Sequence, residues 1–156
     1  MKFTPKIMTE DFAREILTWQ YDSPYDLYNQ DAEDFDELMN GSYYAVLNFA
    51  NEMIGFYCIG TPAQVPKGHD FKAYQESFLD LGLGLKPELT GQGNGYDFLE
   101  FIIPTLSAEN LRLTVASFNK RAIRLYEKFG FKQVDCFSNG KNEFITMVRD
   151  GCICEI

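Results

Sequence analysis

Thr90-Gly-Gln-Gly-Asn-Gly95 places three glycines at alternate positions, after the apolar run Phe78–Leu85 and before the helical-looking Tyr96-Asp-Phe-Leu-Glu-Phe-Ile-Ile103. Glycine removes side chains where something must pass close to the backbone. The helix start beyond offers unpaired N–H groups and the positive end of a dipole. Strand, glycine turn and helix start make a cradle for a phosphate or pyrophosphate. The spacing is neither the Walker pattern nor the dinucleotide fingerprint, and a plain tight turn uses the same residues. Asp80 interrupts the apolar Phe78-Leu-Asp-Leu, with Glu76 just before it; each is either a proton acceptor or a structural acid. His69, the only histidine, sits between Gly68 and Asp70 in a polar stretch and reads as a surface residue. Cys58, Cys136, Cys152 and Cys154 show no zinc-type double pairs. They read as reduced thiols of a cytoplasmic protein. Cys152-x-Cys154 supplies only two ligands, so no metal site is expected.

A second motif lies about 25 residues further on. Leu111-Arg-Leu-Thr-Val-Ala-Ser-Phe118 alternates like a strand, and Asn119-Lys-Arg-Ala-Ile-Arg-Leu-Tyr-Glu-Lys-Phe129 reads as a helix. Asn119 is a good N-cap, and Gly130 is placed to end the helix. The phrase Asn119-x-x-Ala122-x-x-Leu125-Tyr126-x-x-x-Gly130-Phe131 resembles the second signature of the GNAT acyl-CoA N-acyltransferases. Thr90–Gly95 resembles the first, usually Gln/Arg-x-x-Gly-x-Gly/Ala, with Thr90 standing where the family carries Gln or Arg. The resemblance is clear over about residues 78–134, and includes ribosomal-protein alanine acetyltransferase-like members.

The resemblance implies acetyl-CoA as co-substrate and a sheet splayed between strands 78–85 and 111–118. Backbone groups near Leu83 and Leu85 would hold the pantetheine arm. The amides of Gly91, Gln92, Gly93, Asn94 and Gly95 would hold the pyrophosphate, with Thr90 counted in the same cofactor-binding turn. Asn119 would contact the pantetheine amides, with Ala122 and Tyr126 in the same cofactor-binding motif. Acyl transfer to an amine requires proton loss from the amine, stabilisation of the carbonyl oxygen and protonation of the departing thiolate. By resemblance Tyr126 is the acid, since a phenol with pKa near 10 keeps its proton at neutral pH. Packing on a core face is the other role open to Tyr126. Asp80 is the candidate base, Glu76 the next, and ordered water a third route. Trp19, Tyr21, Tyr25 and Tyr28 lie beside Asp22 and Asp26. Relatives wall the acceptor side with this region, where rings and carboxylates suit a cationic amine; covering the sheet as core is the alternative.

These residues need elements to hold them. Thr9–Trp19 reads as a capped helix, Asp31–Met39 as a short acidic one, and Tyr43–Phe49 with Met53–Gly60 as a hairpin. Pro62–Gln75 is a polar loop. Strands near 131–137 and 143–149 flank Ser138-Asn-Gly-Lys141, a strong turn signal. The order implies an α/β (mixed α+β) fold: one domain over 1–156 with a central, mostly antiparallel sheet covered by helices. Acceptor-side helices fall at about 9–40 and the acyl-CoA-binding core at about 78–134. The 156 residues, 46% hydrophobic, suffice for one sizeable core, and no run approaches a membrane span. Residues 1–40 hold ten acids against three bases, a balance of −7 within the total of −9. Lys120, Arg121, Arg124, Lys128 and Lys132 oppose only Glu127 between 119 and 132. The acidic part disfavours nucleic acid and membrane surfaces and favours a cationic amine acceptor; a merely solvated face is the alternative. Ribosomal-protein alanine, polyamine and antibiotic acetylating branches stay open, as does a monomer or a homodimer. An acyl-CoA-binding sensor without turnover is the competing function.

Overall fold

The computed structural model describes residues 3–108 and 110–150, so Cys152 and Cys154 lie outside the described residues. Its elements are β1 (Thr4–Ile7), α1 (Glu10–Ile16), α2 (Phe35–Leu38), β2 (Tyr43–Leu47), β3 (Met53–Ile59), β4 (Leu79–Leu85), α3 (Asn94–Thr105), β5 (Leu111–Ala116), α4 (Lys120–Lys128), β6 (Lys132–Ser138) and β7 (Glu143–Arg149). The seven strands form a sheet of order β1-β2-β3-β4-β5-β7-β6. β4 and β5 run parallel, whereas β1–β2, β2–β3, β5–β7 and β6–β7 are antiparallel. This is the mixed, mostly antiparallel α/β fold expected from the sequence. By its internal contacts the chain divides into two compact units, Met1–Cys58 with Leu83–Phe101, and Ile59–Gly82 with Ile102–Ile156.

In the first unit, Thr9 caps α1, its hydroxyl accepting from the Phe12 amide at 3.3 Å. Glu10 and Asp11 occupy the first turn, where the helix dipole favours them. Ala13 and Ile16 turn inward with Leu38, Val46 and Leu99, all 2% exposed or less. The β2–β3 hairpin turns through Asn51, at φ 64°, while Asn48 Oδ1 accepts from the amides of Ala50 and Glu52. α1 is shorter than the expected Thr9–Trp19. The second short helix also begins later, because Ala32–Asp34 is a 3-10 turn leading into α2. Gly84 has a structural reason to be glycine, since a Cβ there would come within 2.4 Å of the Phe56 ring.

The second unit carries β5 between the start of β4 and β7. Leu81, Leu111, Leu113, Phe131 and Met147 fill its core. The β4–β5 ladder has two register pairs, Leu79↔Leu111 and Asp80↔Arg112, whereas β5 and β7 pair over six, from Leu111↔Arg149 to Ala116↔Phe144. The β6–β7 hairpin closes at Asn139-Gly140, where Asn139 Oδ1 accepts from the amides of Lys141 and Asn142. The segment read as a polar loop contains two 3-10 turns, Thr61–Ala63 and Pro66–Phe71.

Candidate active site

Asp80 and Arg112 are 4% and 3% exposed, and face each other on the last register pair of the β4–β5 ladder. The pairing is bidentate, Arg112 Nε donating to Oδ1 at 2.7 Å and Nη2 to Oδ2 at 2.8 Å. Gln64 Nε2 also donates to Oδ2 at 2.8 Å, and Arg112 Nη1 donates to the Glu76 carbonyl at 3.3 Å. The guanidinium carbon lies 5.0 Å and 5.6 Å from the ring centres of Tyr74 and Phe78. Hydrogen bonding to Asp80 holds the Arg112 pKa above its ordinary value against the opposing pull of burial. His69 Nε2 reaches Gln64 Oε1 at 2.8 Å, and the Tyr74 hydroxyl meets Thr114 Oγ1 at 2.8 Å. Both oxygens of Asp80 are therefore engaged, and accepting an amine proton would require breaking a buried charge pair. Of the two roles the sequence left open, this geometry is that of a structural acid. Arg112, Gln64 and Tyr74 were not singled out from the sequence. The available signal was a second charge interrupting a second apolar strand.

Also within the second unit, Asn119 caps α4, its Oδ1 accepting from the Ala122 amide at 3.1 Å. The exposed face of α4 carries Lys120, Arg121, Arg124 and Lys128, while Tyr126 is 8% exposed. Its ring lies 6.1 Å from that of Phe131. Gly130, at φ 90°, ends the helix, and the Phe131 amide donates back to the Tyr126 carbonyl at 3.1 Å. Tyr126 thus stands on the buried face of a helix fixed at both ends.

The glycine stretch belongs to the first unit. Gly91 and Gly93 have φ 73° and 85°, a backbone region that glycine enters freely. Asn94 and Gly95 already belong to α3, which starts two residues earlier than its apolar pattern indicated. The polar side chains bond backwards. Thr90 Oγ1 donates to the Pro87 carbonyl at 2.7 Å, Gln92 Nε2 to Glu88 at 2.7 Å and Asn94 Nδ2 to Leu89 at 3.0 Å. They hold the loop together, so a ligand here would meet backbone amides. On β4, Leu83 and Leu85 are half-buried. The Leu85 carbonyl already accepts a hydrogen bond from the Tyr21 hydroxyl at 2.6 Å.

The expected aromatic cluster divides by environment. Trp19 is buried and stacks on Phe56, centroids 6.0 Å apart at 29°. Tyr43 meets the same Phe56 ring at 6.0 Å and donates its hydroxyl to Glu37 Oε2 at 3.1 Å. Tyr21, Tyr25 and Tyr28 are all half-buried, the last two in a 3-10 turn with Asp26 and Leu27. Burial pushes the Tyr21 and Tyr43 hydroxyls above the ordinary tyrosine range, with Cys58 and Glu37 adding to the effect at Tyr43. Tyr43 and Glu37 had no assigned role from sequence. Among the described residues no three of His, Cys, Asp and Glu gather into a metal-binding group. None of their helices is long and apolar enough to cross a membrane.

The model of the acetyltransferase (GNAT) family matches residues 9–131, most of the chain. The chain belongs to that family and is an acyltransferase by that membership. Its fold is similar to a spermidine N-acetyltransferase SpeG chimera from Vibrio cholerae and hSSAT, at 19% identity over 97% of this chain and 96% of the other, TM-score 0.70. It is also similar to an aminoglycoside acetyltransferase AAC(6')-Ib in complex with coenzyme A, at 18% identity over 96% and 95% of the two chains, TM-score 0.67. A third similar structure is an uncharacterized protein from Bacillus halodurans, at 16% identity over 95% and 83%, TM-score 0.73. No curated protein matches the chain by sequence.

Proposed function

We propose that the chain, as one domain over residues 1–156, transfers an acetyl group from acetyl-CoA to a primary amine by direct attack in a ternary complex. The observation that carries this reading is Tyr126, on the buried face of the helix that Asn119 caps, at the family's acid position. The two-rung β4–β5 ladder agrees with strands that part beyond Arg112. The co-substrate supplies an activated acyl carbon. The amides of Gly91 to Gly95 bind its pyrophosphate, and β4 backbone groups near Leu83 align its arm. As the new C–N bond forms and the C–S bond breaks, the Tyr126 hydroxyl gives its proton to the departing sulfur. The amine proton leaves through water rather than to Asp80, whose oxygens hold Arg112. Aromatics and acids of residues 19–28 draw a cationic amine or a peptide terminus. A cytoplasmic setting, as monomer or homodimer, suits such a substrate.

Thiol release from acetyl-CoA, measured across small cationic amines and peptide termini, tests the proposal. Amine-dependent release is expected. Calorimetric binding of CoA without any release would leave an acyl-CoA-binding sensor, and absence of binding would remove the cofactor assignment.

A further inference from the structure

Trp19 is the only tryptophan of the chain and is 5% exposed. Its indole Nε1–H finds no hydrogen-bond partner among the described residues. Buried donors are nearly always paired, because an unpaired one has lost its water without compensation. The surroundings of this one point to a ligand. Trp19 stacks on Phe56, and the Phe56 ring lies so close to β4 that a Cβ on Gly84 would come within 2.4 Å of it. Two residues along, Tyr21 donates its hydroxyl to the carbonyl of Leu85, the next residue of β4. Tyr21 therefore reaches the end of the strand assigned above to the thioester arm directly, and Trp19 lies one ring away from it, behind Phe56. Tyr21 has its partner there, and Trp19 does not.

We infer that Trp19 Nε1–H is a specificity-determining donor that bonds an oxygen of the acceptor, so preferred acceptors are amines with a hydroxyl or carbonyl oxygen a few bonds from the reacting nitrogen. The inference rests on the acetyl transfer proposed above and narrows its acceptor class. Amino alcohols, amino sugars and peptide termini fit, whereas simple polyamines leave the donor unpaired. A site built around a buried donor discriminates against the analogue that cannot satisfy it. One neutral hydrogen bond corresponds to roughly a 3–10-fold preference.

A matched pair of acceptors, 1,3-diamino-2-propanol and 1,3-diaminopropane, isolates the oxygen while keeping two cationic nitrogens. Thiol release at saturating acetyl-CoA is compared in three proteins: the parent, Trp19→Phe, and the parent with tryptophan replaced biosynthetically by benzothienylalanine. The analogue exchanges N–H for sulfur at nearly the same shape, and decides the matter if Trp19→Phe folds poorly. The parent should favour the hydroxylated diamine roughly 3–10-fold in kcat/KM, through KM. The preference should fall to about unity in both altered proteins. Adding the hydroxylated amine to CoA-bound parent should shift Trp19 emission to longer wavelength, and adding the plain diamine should not. Equal preference in parent and analogue protein, or no preference in the parent, overturns the inference alone. Turnover of neither amine overturns the acceptor class and, with it, the inference.

Discussion

Tyr126 and Asp80 make different demands on experiment. Tyr126→Phe removes one hydroxyl from a packed ring, so kcat should drop by about 10²–10⁴-fold, the usual scale of one general acid. CoA affinity by calorimetry should hardly change; equal kcat in both proteins would return Tyr126 to a packing role. Asp80→Asn strands the Arg112 guanidinium in a site where both partners are under 5% exposed. Unfolding in urea should reveal a loss of about 3–5 kcal/mol. The double change Asp80→Leu with Arg112→Met should recover much of that loss, because a buried pair adds little over apolar packing of similar volume. Normal stability in the single variant would show that the pair is not closed to water. The sequence displayed Asp80 as an acid and Arg112 as a base, each out of place in an apolar strand, yet held no means of pairing them. Register across a parallel pair leaves no fixed spacing along the chain. Tyr43 and Glu37 went unassigned for the same reason, since their bond follows from where α2 comes to rest.

Features at element ends were legible because they are local. Thr9, Asn119 and Asn139-Gly140 each act on backbone within three residues, and each does what its type and position implied. The stretch 62–75 was not legible, because its order comes from distant partners such as Thr114, which bonds Tyr74 forty positions away in sequence. The glycine turn falls between these cases. Its position was evident, but not the backward commitment of the Thr90, Gln92 and Asn94 side chains. Gly93 has φ 85°, with nothing within 4 Å of the place a Cβ would occupy. A side chain there meets backbone strain rather than a clash. Gly93→Val should therefore lower stability by about 1–2 kcal/mol in a thermal melt and abolish CoA binding by reshaping the amides. CoA bound as tightly as by the parent would remove the cradle assignment.

For the whole molecule, family and sheet architecture were readable from two motifs in order, while the strand register was not. Alkaline pH offers a global test of the first unit's packing. Burial holds the Tyr21 and Tyr43 hydroxyls above their ordinary pKa. Below about pH 10 these tyrosines keep their protons whether the chain is folded or unfolded, and stability does not depend on them. Above it the unfolded chain releases protons that the folded chain retains. The unfolded state then binds fewer protons, and stability falls by up to about 1.4 kcal/mol per pH unit for each tyrosine. Denaturant unfolding at stepped alkaline pH should show this slope, and Tyr21→Phe should remove one tyrosine's share. An unchanged slope in that variant would mean that Tyr21 ionises freely in the folded protein.

The Asp80–Arg112 pair occupies the last rung on which β4 and β5 share register. Main-chain register joins the two strands up to this rung, and on the same rung a bidentate side-chain bridge joins them a second time. The end of the shared register is thus tied twice, once by backbone and once by side chains, like the reinforced last stitch of a seam.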